Sequence, residues 1–299
     1  MNTETKRRRF LEDKTLGVYG FGNTGQTLVR ELAPFADRMI VYEDDPSGEK
    51  PENLPGVNGT VRWVESPTVL QEIPDLLVAS PGIPGNHPVL RQARELGVPV
   101  WDEIELAYRL AETGTFWAIT GTNGKSTAAE LAGCVLEAEF GEEQVRVCGN
   151  RGSPLVENLD DSNPERHYVV EISSFQAEGF EEFTPDGVLL TSLGDDHREY
   201  HDSLYEYHAL KFDLLRRVAP GGPLVVPENL DDRSWFDRYT GRRTFTGTSG
   251  RTVDVEVSEE NRVRYEDAEI ALAELSPSLA MFPENIMGVA SLLHGEVTP

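Results

Sequence analysis

The sequence predicts an α/β protein made of two parallel-sheet domains, and three observations predict it. Short runs of apolar, strand-forming residues alternate with helical stretches along most of the chain, which is the pattern of a parallel sheet covered by helices. A glycine turn, Gly20-Phe21-Gly22-Asn23-Thr24-Gly25, follows the first such run. A second glycine-rich loop, Ile119-Thr120-Gly121-Thr122-Asn123-Gly124-Lys125-Ser126-Thr127, follows a later one. Each lies where a strand hands over to a helix, so each opens its own α/β domain.

In order along the chain, residues 16–20 read as a buried strand, 24–32 as a helix, 39–42 as a second strand and 76–79 as another. The division falls between Ala111 and Gly114, giving a Rossmann-like domain over 1–111 and an ATPase-type central domain over 112–299. Beyond it, 115–119 reads as a strand, 127–137 as a helix, 167–172 and 187–191 as strands, 203–218 as a helix and 223–226 as a strand. Residues 244–263 alternate polar and apolar between glycine-rich turns, which predicts a small antiparallel set. There is no internal repeat and no low-complexity segment.

Composition narrows the function classes. At 299 residues with 38% hydrophobic content, the chain can build two cores but hardly three. No apolar run approaches the roughly 20 residues of a membrane span, and the N-terminal stretch lacks the apolar core of a signal peptide, so a cytoplasmic location is expected. Cys134 and Cys148 are too few for a metal cluster and are expected as reduced thiols in or near the core. Lys6-Arg7-Arg8-Arg9 is expected as a solvated tail. No nucleic-acid or membrane partner is expected, such contact by the basic run being the lesser alternative; the net charge of −25 would repel phosphorylated substrates at low salt and requires that any positive charge be local to the sites. Only five of the 27 basic residues are lysines and the 52 acidic residues are spread over the whole chain, which points to a salt-loving source where ionic strength screens the self-repulsion.

The second loop carries the most specific chemistry. Gly121 and Gly124 let backbone N–H groups turn toward phosphate oxygens, Lys125 adds a cation, Ser126 can hold Mg²⁺, and the following helix presents its positive end. Ile119 stands where a standard Walker A motif requires glycine, so the shorter form G-T-N-G-K-S-T is the signal here. The first loop matches the G-x-G-x-x-G dinucleotide fingerprint, with acidic Glu43 about twenty residues on. A NAD-dependent oxidoreductase would begin this way too; the turn recognises pyrophosphate, however, and so serves a nucleotide sugar equally.

Further segments follow in order: Asp75-Leu76-Leu77-Val78-Ala79-Ser80-Pro81-Gly82-Ile83 with His87-Pro88, Gly149-Asn150-Arg151-Gly152, Glu171-Ile172-Ser173-Ser174-Phe175-Gln176, Asp195-Asp196-His197 and Tyr207-His208-Ala209-Leu210-Lys211. With the phosphate loop, they make the chain resemble the Mur ligase family over nearly all its length, nearest to the branch that adds D-glutamate to UDP-N-acetylmuramoyl-L-alanine in peptidoglycan precursor synthesis. The resemblance implies a UDP-sugar held by Asn23, Thr24, Glu43, Ser80, Pro81 and Gly82 with Ser173. It implies ATP held by Gly121, Thr122, Asn123, Gly124, Lys125, Ser126 and Thr127 with Asn150 and Asn285. It also implies two Mg²⁺ sites drawn from Ser126, Glu171, His197 and Lys211, with Lys211 carbamylated into an oxygen-donor anion. Lys125, Glu171, His197 and Lys211 form the implied catalytic set, for amide synthesis through an acyl phosphate. Taken singly, Lys211 also reads as an exposed helix lysine, and His197 as a core histidine.

Two departures bear on substrate. Glu43-Asp44-Asp45 stands where the family places Asp-Thr-Arg, and Pro283-Glu284-Asn285-Ile286-Met287-Gly288 resembles a His-Asn-x-x-Asn helix in which Glu284 and Gly288 replace the histidine and the second asparagine. The family's third, amino-acid-binding domain is expected to be missing. That leaves a fragment, a split enzyme whose partner chain supplies the domain, a related ligase for another wall polymer, or a non-catalytic binding protein as open readings.

Overall fold

The computed structural model describes residues 3–45, 60–111, 113–160, 163–194, 204–227, 230, 243–246, 255–257, 262–265, 268–271 and 283–293. From the N-terminus run α1 (Thr3–Leu11), β1 (Thr15–Tyr19), α2 (Asn23–Leu32), β2 (Arg38–Glu43), β3 (Thr60–Glu65), β4 (Leu76–Ala79), α3 (Pro88–Glu95), β5 (Val100–Trp101) and α4 (Glu103–Leu110). Then come β6 (Thr115–Thr120), α5 (Lys125–Phe140), β7 (Val145–Gly149), α6 (Leu155–Asn158), β8 (His167–Glu171), α7 (Ser174–Ala177), β9 (Gly187–Leu190) and α8 (Leu204–Arg216). The last are β10 (Leu224–Pro227), β11 (Arg243–Thr246), β12 (Val255–Val257), β13 (Arg262–Tyr265), β14 (Ala268–Ala271) and α9 (Pro283–Leu293).

The chain forms two compact units. One gathers residues 1–113 with 152–164 and 175–183; the other gathers 114–151, 165–174 and 184–299. The first unit carries a five-stranded sheet of order β3-β2-β1-β4-β5, parallel throughout. β1, β2 and β4 are continuous apolar runs because helices cover both faces of such a sheet. Tyr19, Ile40, Tyr42, Leu77 and Val89 form its core. Strand order reverses between β1 and β4, so the loops leaving these two strands diverge and open a crevice at the carboxyl edge. Local signals set the helix starts: His87 caps α3 through the Val89 N–H with Pro88 in the first turn, and Asp102 caps α4 through the Ile104 N–H.

Two features of this unit differ from expectation. The basic run at residues 6–9 is not a solvated tail but part of α1, where Arg7 is only 8% exposed. Its guanidinium donates to the Glu31 carboxylate at 3.0 Å and to the Val156 carbonyl at 2.9 Å, because a buried guanidinium must be paired. Residues 152–164 and 175–183, placed by the sequence division with the second domain, belong to the first unit, and buried carboxylates fasten them there. Glu103 accepts the Val156 N–H. Glu105, fully buried, accepts the backbone N–H groups of Glu181, Glu182 and Phe183 at 2.9–3.0 Å and pairs with Arg109.

The second unit holds a six-stranded parallel sheet of order β11-β10-β9-β6-β8-β7. Its order reverses at β6, flanked by β8 and β9, which places the ends of these three strands around one crevice. α5 and α9 pack on this sheet, with Ile119, Ala128, Ala132, Val169, Val289 and Leu292 in the core. The expected antiparallel set is found in part: β12, β13 and β14 form it, whereas β11, from the start of the same stretch, joins the parallel sheet beside β10. Cys148 is buried as expected and Cys134 is exposed. No helix among the described residues is long and apolar enough to cross a membrane.

Candidate nucleotide-binding sites

In the second unit the loop between β6 and α5 has the features of a phosphate cradle. α5 begins at Lys125 with Gly124 as its N-cap, no side chain capping it and no acidic residue in its first turn, so its first amides and its dipole stay open to an anion. Gly124 has φ +85°, and a Cβ there would lie 2.7 Å from Asn285 Oδ1. Two cations converge on the loop's own carbonyls. Lys125 Nζ donates to Gly121 O and Thr122 O at 2.9 Å, and Lys211 Nζ, 1% exposed, donates to Gly121 O at 3.0 Å. In a chain of net charge −25, this local positive charge is what an anionic ligand requires. Asn285 on α9 is 4% exposed, and its Nδ2 has no hydrogen-bond partner beside the loop, which leaves a buried donor for a ligand acceptor. The loop therefore fits a polyphosphate. Asn123 is exposed, while Ser126 and Thr127 are partly buried in the first turn of α5.

The expected metal ligands are placed as follows. Glu171 ends β8, level with Ile119 across the β6–β8 pairing, and is 3% exposed. Asn150 donates its side-chain N–H to Glu171 Oε1 at 2.9 Å and its backbone N–H to Glu171 O at 2.8 Å. A buried carboxylate held this way keeps its second oxygen for a hard cation. Lys211 stands as an amine that donates, and a donating ammonium ligates no metal. Asp195, Asp196 and His197 lie outside the described residues, and among those described no group of three or more His, Cys, Asp or Glu is arranged around a metal position. Ser173 is buried just beyond Glu171.

The loop also has partners that its sequence does not announce. The exit of β9 binds it: Asn123 N–H donates to Ser192 Oγ at 2.8 Å, Thr191 Oγ1 donates to Asn123 O at 2.6 Å, and Thr122 N–H donates to Ser192 O at 3.0 Å. Thr122 Oγ1 lies 3.0 Å from the Tyr207 hydroxyl. Only the hydroxyl pair Thr191-Ser192 after a buried strand hints at this in the sequence.

In the first unit the glycine turn lies at the carboxyl edge of β1. Gly25 is obligatory, since a Cβ there would fall 1.9 Å from Gly20 O, while a Cβ on Gly22 would meet no atom within 4 Å, so the middle of the turn is open to close approach. Asn23 is exposed and Thr24 partly so in the uncapped first turn of α2. Ser80, after β4, ties the two divergent loops by donating to Gly20 O at 3.0 Å; Pro81 and exposed Gly82 follow it. Glu43 turns back onto the glycine loop: one carboxylate oxygen accepts the Phe21 N–H at 2.6 Å and the other the Asp45 N–H at 3.0 Å. Tyr19 donates to Asp44 at 2.9 Å, and desolvation, with that carboxylate beside it, holds the phenol well above its usual range.

The two units together, one opened by a pyrophosphate-type glycine turn and the other by a phosphate loop, define an α/β protein with paired nucleotide-binding folds. The profile of the Mur ligase middle domain matches residues 119–297, and the chain belongs to the Mur ligase family, an ATP-dependent ligase family. It is 36% identical over 225 residues to UDP-N-acetylmuramoylalanine--D-glutamate ligase of Exiguobacterium sibiricum, covering 74% of this chain and 49% of that protein. It is 31% identical over 243 residues to the enzyme of the same name from Enterococcus hirae, covering 80% and 53%. The chain thus spans about half the length of the curated relatives it matches. Its fold is similar to that of the UDP-N-acetylmuramate:L-alanyl-gamma-D-glutamyl-meso-diaminopimelate ligase from Neisseria meningitides, with TM-score 0.61 at 16% identity over 94% of this chain and 93% of that one.

Proposed function

We propose that this chain carries the UDP-sugar-binding and ATP-binding domains of a ligase that joins D-glutamate to UDP-N-acetylmuramoyl-L-alanine in peptidoglycan precursor synthesis, over residues 1–111 and 112–299 respectively, save that 152–164 and 175–183 go with the first domain. The observation that carries the reading is the loop of residues 121–127, with Lys125 and Lys211 both drawn to it and the unpartnered Asn285 donor beside it. The names of the two relatives support the choice of substrate.

In this reading Lys125 and the open end of α5 offset the charge of the β- and γ-phosphates while a substrate carboxylate attacks the terminal phosphorus, its bond to the bridging oxygen breaks and ADP departs to leave an acyl phosphate, a step governed by positioning and electrostatics. Ser126 and Glu171 would hold one Mg²⁺, and Glu171, His197 and a carbamylated Lys211 a second; the ions supply further charge neutralisation at the phosphates. Asn150 fixes the orientation of Glu171. In the first unit the turn at 20–25, with Asn23, Thr24, Ser80, Pro81 and Gly82, would receive the sugar diphosphate, with Glu43 bracing the turn; Ser173, of the second unit, is the further substrate contact that the family resemblance implies. The setting would be cytoplasmic. Calorimetric titration of Mg²⁺–ATP into the wild-type chain and Lys125→Ala, with and without UDP-N-acetylmuramoyl-L-alanine, tests the reading. Binding that disappears in the variant and is coupled to the nucleotide sugar is expected; wild-type protein that takes up neither ligand would refute it.

A further inference from the structure

We propose that Asp44 is the specificity-determining residue of the first unit, its carboxylate receiving the vicinal hydroxyls of a ribose; this rests on the reading that the unit binds a UDP-sugar. A carboxylate about twenty residues beyond a pyrophosphate-type glycine turn, at the end of the next strand, is placed to accept hydrogen bonds from the ribose of a nucleotide. Glu43 stands at that place in the sequence, but it is turned back onto the protein: its two oxygens accept the Phe21 and Asp45 N–H groups at 2.6 and 3.0 Å. Asp44 follows it directly, and its side chain is 45% exposed. The acceptor left to a ligand at this edge is therefore Asp44.

This carboxylate is held in one orientation by three elements. β1 supplies Tyr19, whose hydroxyl donates to Asp44 Oδ1 at 2.9 Å. α3 supplies its cap, His87, whose Nε2 lies 3.6 Å from Asp44 Oδ2. His87 Nδ1 accepts the Val89 N–H at 3.3 Å, so the ring proton sits on Nε2, 3.4 Å from the Tyr19 oxygen. Tyr19 is fully buried and packs against the rings of His87 and Tyr42, with centroids 4.9 and 5.8 Å away, so its hydroxyl cannot swing aside. β3 leads into Ser66, whose Oγ donates to the Asp44 carbonyl at 3.1 Å and fixes its backbone. A carboxylate offers about four acceptor positions, and Tyr19 takes one, which leaves the exposed edge for the two donors of a cis diol. The partly exposed Phe21 ring, edge-on to Trp63 with centroids 4.6 Å apart, gives a base an apolar face at the same turn.

The test titrates UDP, 2′,3′-dideoxy-UDP and N3-methyl-UDP into the full chain as wild type, Asp44→Ala, Asp44→Asn and Glu43→Gln. Wild type should bind UDP at least about tenfold more tightly than the dideoxy analogue, since hydrogen bonds to a charged acceptor are lost. Asp44→Ala should bind the two alike and treat N3-methyl-UDP as wild type does. Asp44→Asn, which keeps an acceptor for Tyr19 and so preserves the packing, should show a smaller preference for UDP over the dideoxy analogue than wild type. Glu43→Gln should weaken both nucleotides equally and keep the preference. A wild-type chain that binds UDP and dideoxy-UDP alike, an Asp44→Ala chain that retains the preference, or a Glu43→Gln chain that loses it would overturn the proposal while leaving nucleotide binding intact. A preference for UDP over N3-methyl-UDP that vanishes in Asp44→Ala would assign the carboxylate to the base and overturn it too. A wild-type chain that binds no UDP would overturn the underlying reading, and the proposal with it.

Discussion

Two glycines make opposite cases at the residue scale. Gly124 combines φ +85° with a Cβ position 2.7 Å from Asn285 Oδ1, so a methyl group there meets both backbone strain and a buried amide. Gly124→Ala is expected to cost about 1–3 kcal/mol in chemical denaturation and to abolish nucleotide binding. Gly22 has φ −68° and open space around its Cβ position. Gly22→Ala should leave the denaturation midpoint unchanged and weaken UDP-sugar binding alone, because only a ligand could fill that space. A Gly22→Ala chain that binds UDP-N-acetylmuramoyl-L-alanine as tightly as wild type would mean that the diphosphate does not approach the turn there.

What holds the elements in place is buried charge that the sequence does not advertise. Glu105 supports the segment 181–183 through three backbone N–H groups and keeps Arg109 paired. Glu105→Ala would strand those amides and is expected to destabilise the protein by at least about 2 kcal/mol, with amide exchange at residues 181–183 rising before that of β1 or β6. Uniform exchange across the first unit in the variant would show that the segment is held by something else. The strands β1, β4, β6, β8, β9 and β10 were legible because fully buried parallel strands are short apolar runs bounded by turns. The phosphate loop was legible because glycine, lysine and serine at that spacing have one common use. β3 was missed: TVRWVE alternates charge and apolar residues as an edge strand does, and gives no buried run. β11 was assigned to the wrong sheet, since alternation shows a strand but not its partner. Glu103 and Glu105 carry no distinguishing signal in the sequence, because only the fold shows which amides they receive. Arg7, read as part of a solvated tail, is likewise shown by the fold alone to be buried and paired.

At the scale of the whole molecule, two electrostatic terms act on stability, and they can be separated. The first is self-repulsion from a net charge of −25, which salt screens; the Debye length falls from about 10 Å at 0.1 M to about 3 Å at 1 M. Thermal stability should therefore climb with KCl, and a flat or falling series would show that this repulsion does not limit stability. The second is Glu103, whose carboxyl is pushed up to about 7 by burial, against two backbone N–H groups that pull the other way. Its proton is held in the folded state at a pH where the unfolded chain has already released it. The folded state is thus favoured below the ordinary carboxylate range, and the advantage is lost as pH rises toward 7, a swing on the order of 3 kcal/mol. Asp102 beside it is also raised, by desolvation and then by the Glu103 charge, which adds to the same slope. Burial shields these groups from ions, so high KCl should lift the whole stability curve without flattening its fall with pH. Glu103→Gln should reduce the slope to the part that Asp102 contributes, since the amide keeps an acceptor for Val156 N–H and cannot titrate; the slope is the readout, because a buried amide N–H adds a constant cost of its own. Denaturation of both proteins between pH 5 and 8, in low and high KCl, measures both terms, and a slope unchanged by Glu103→Gln would assign the proton to another group.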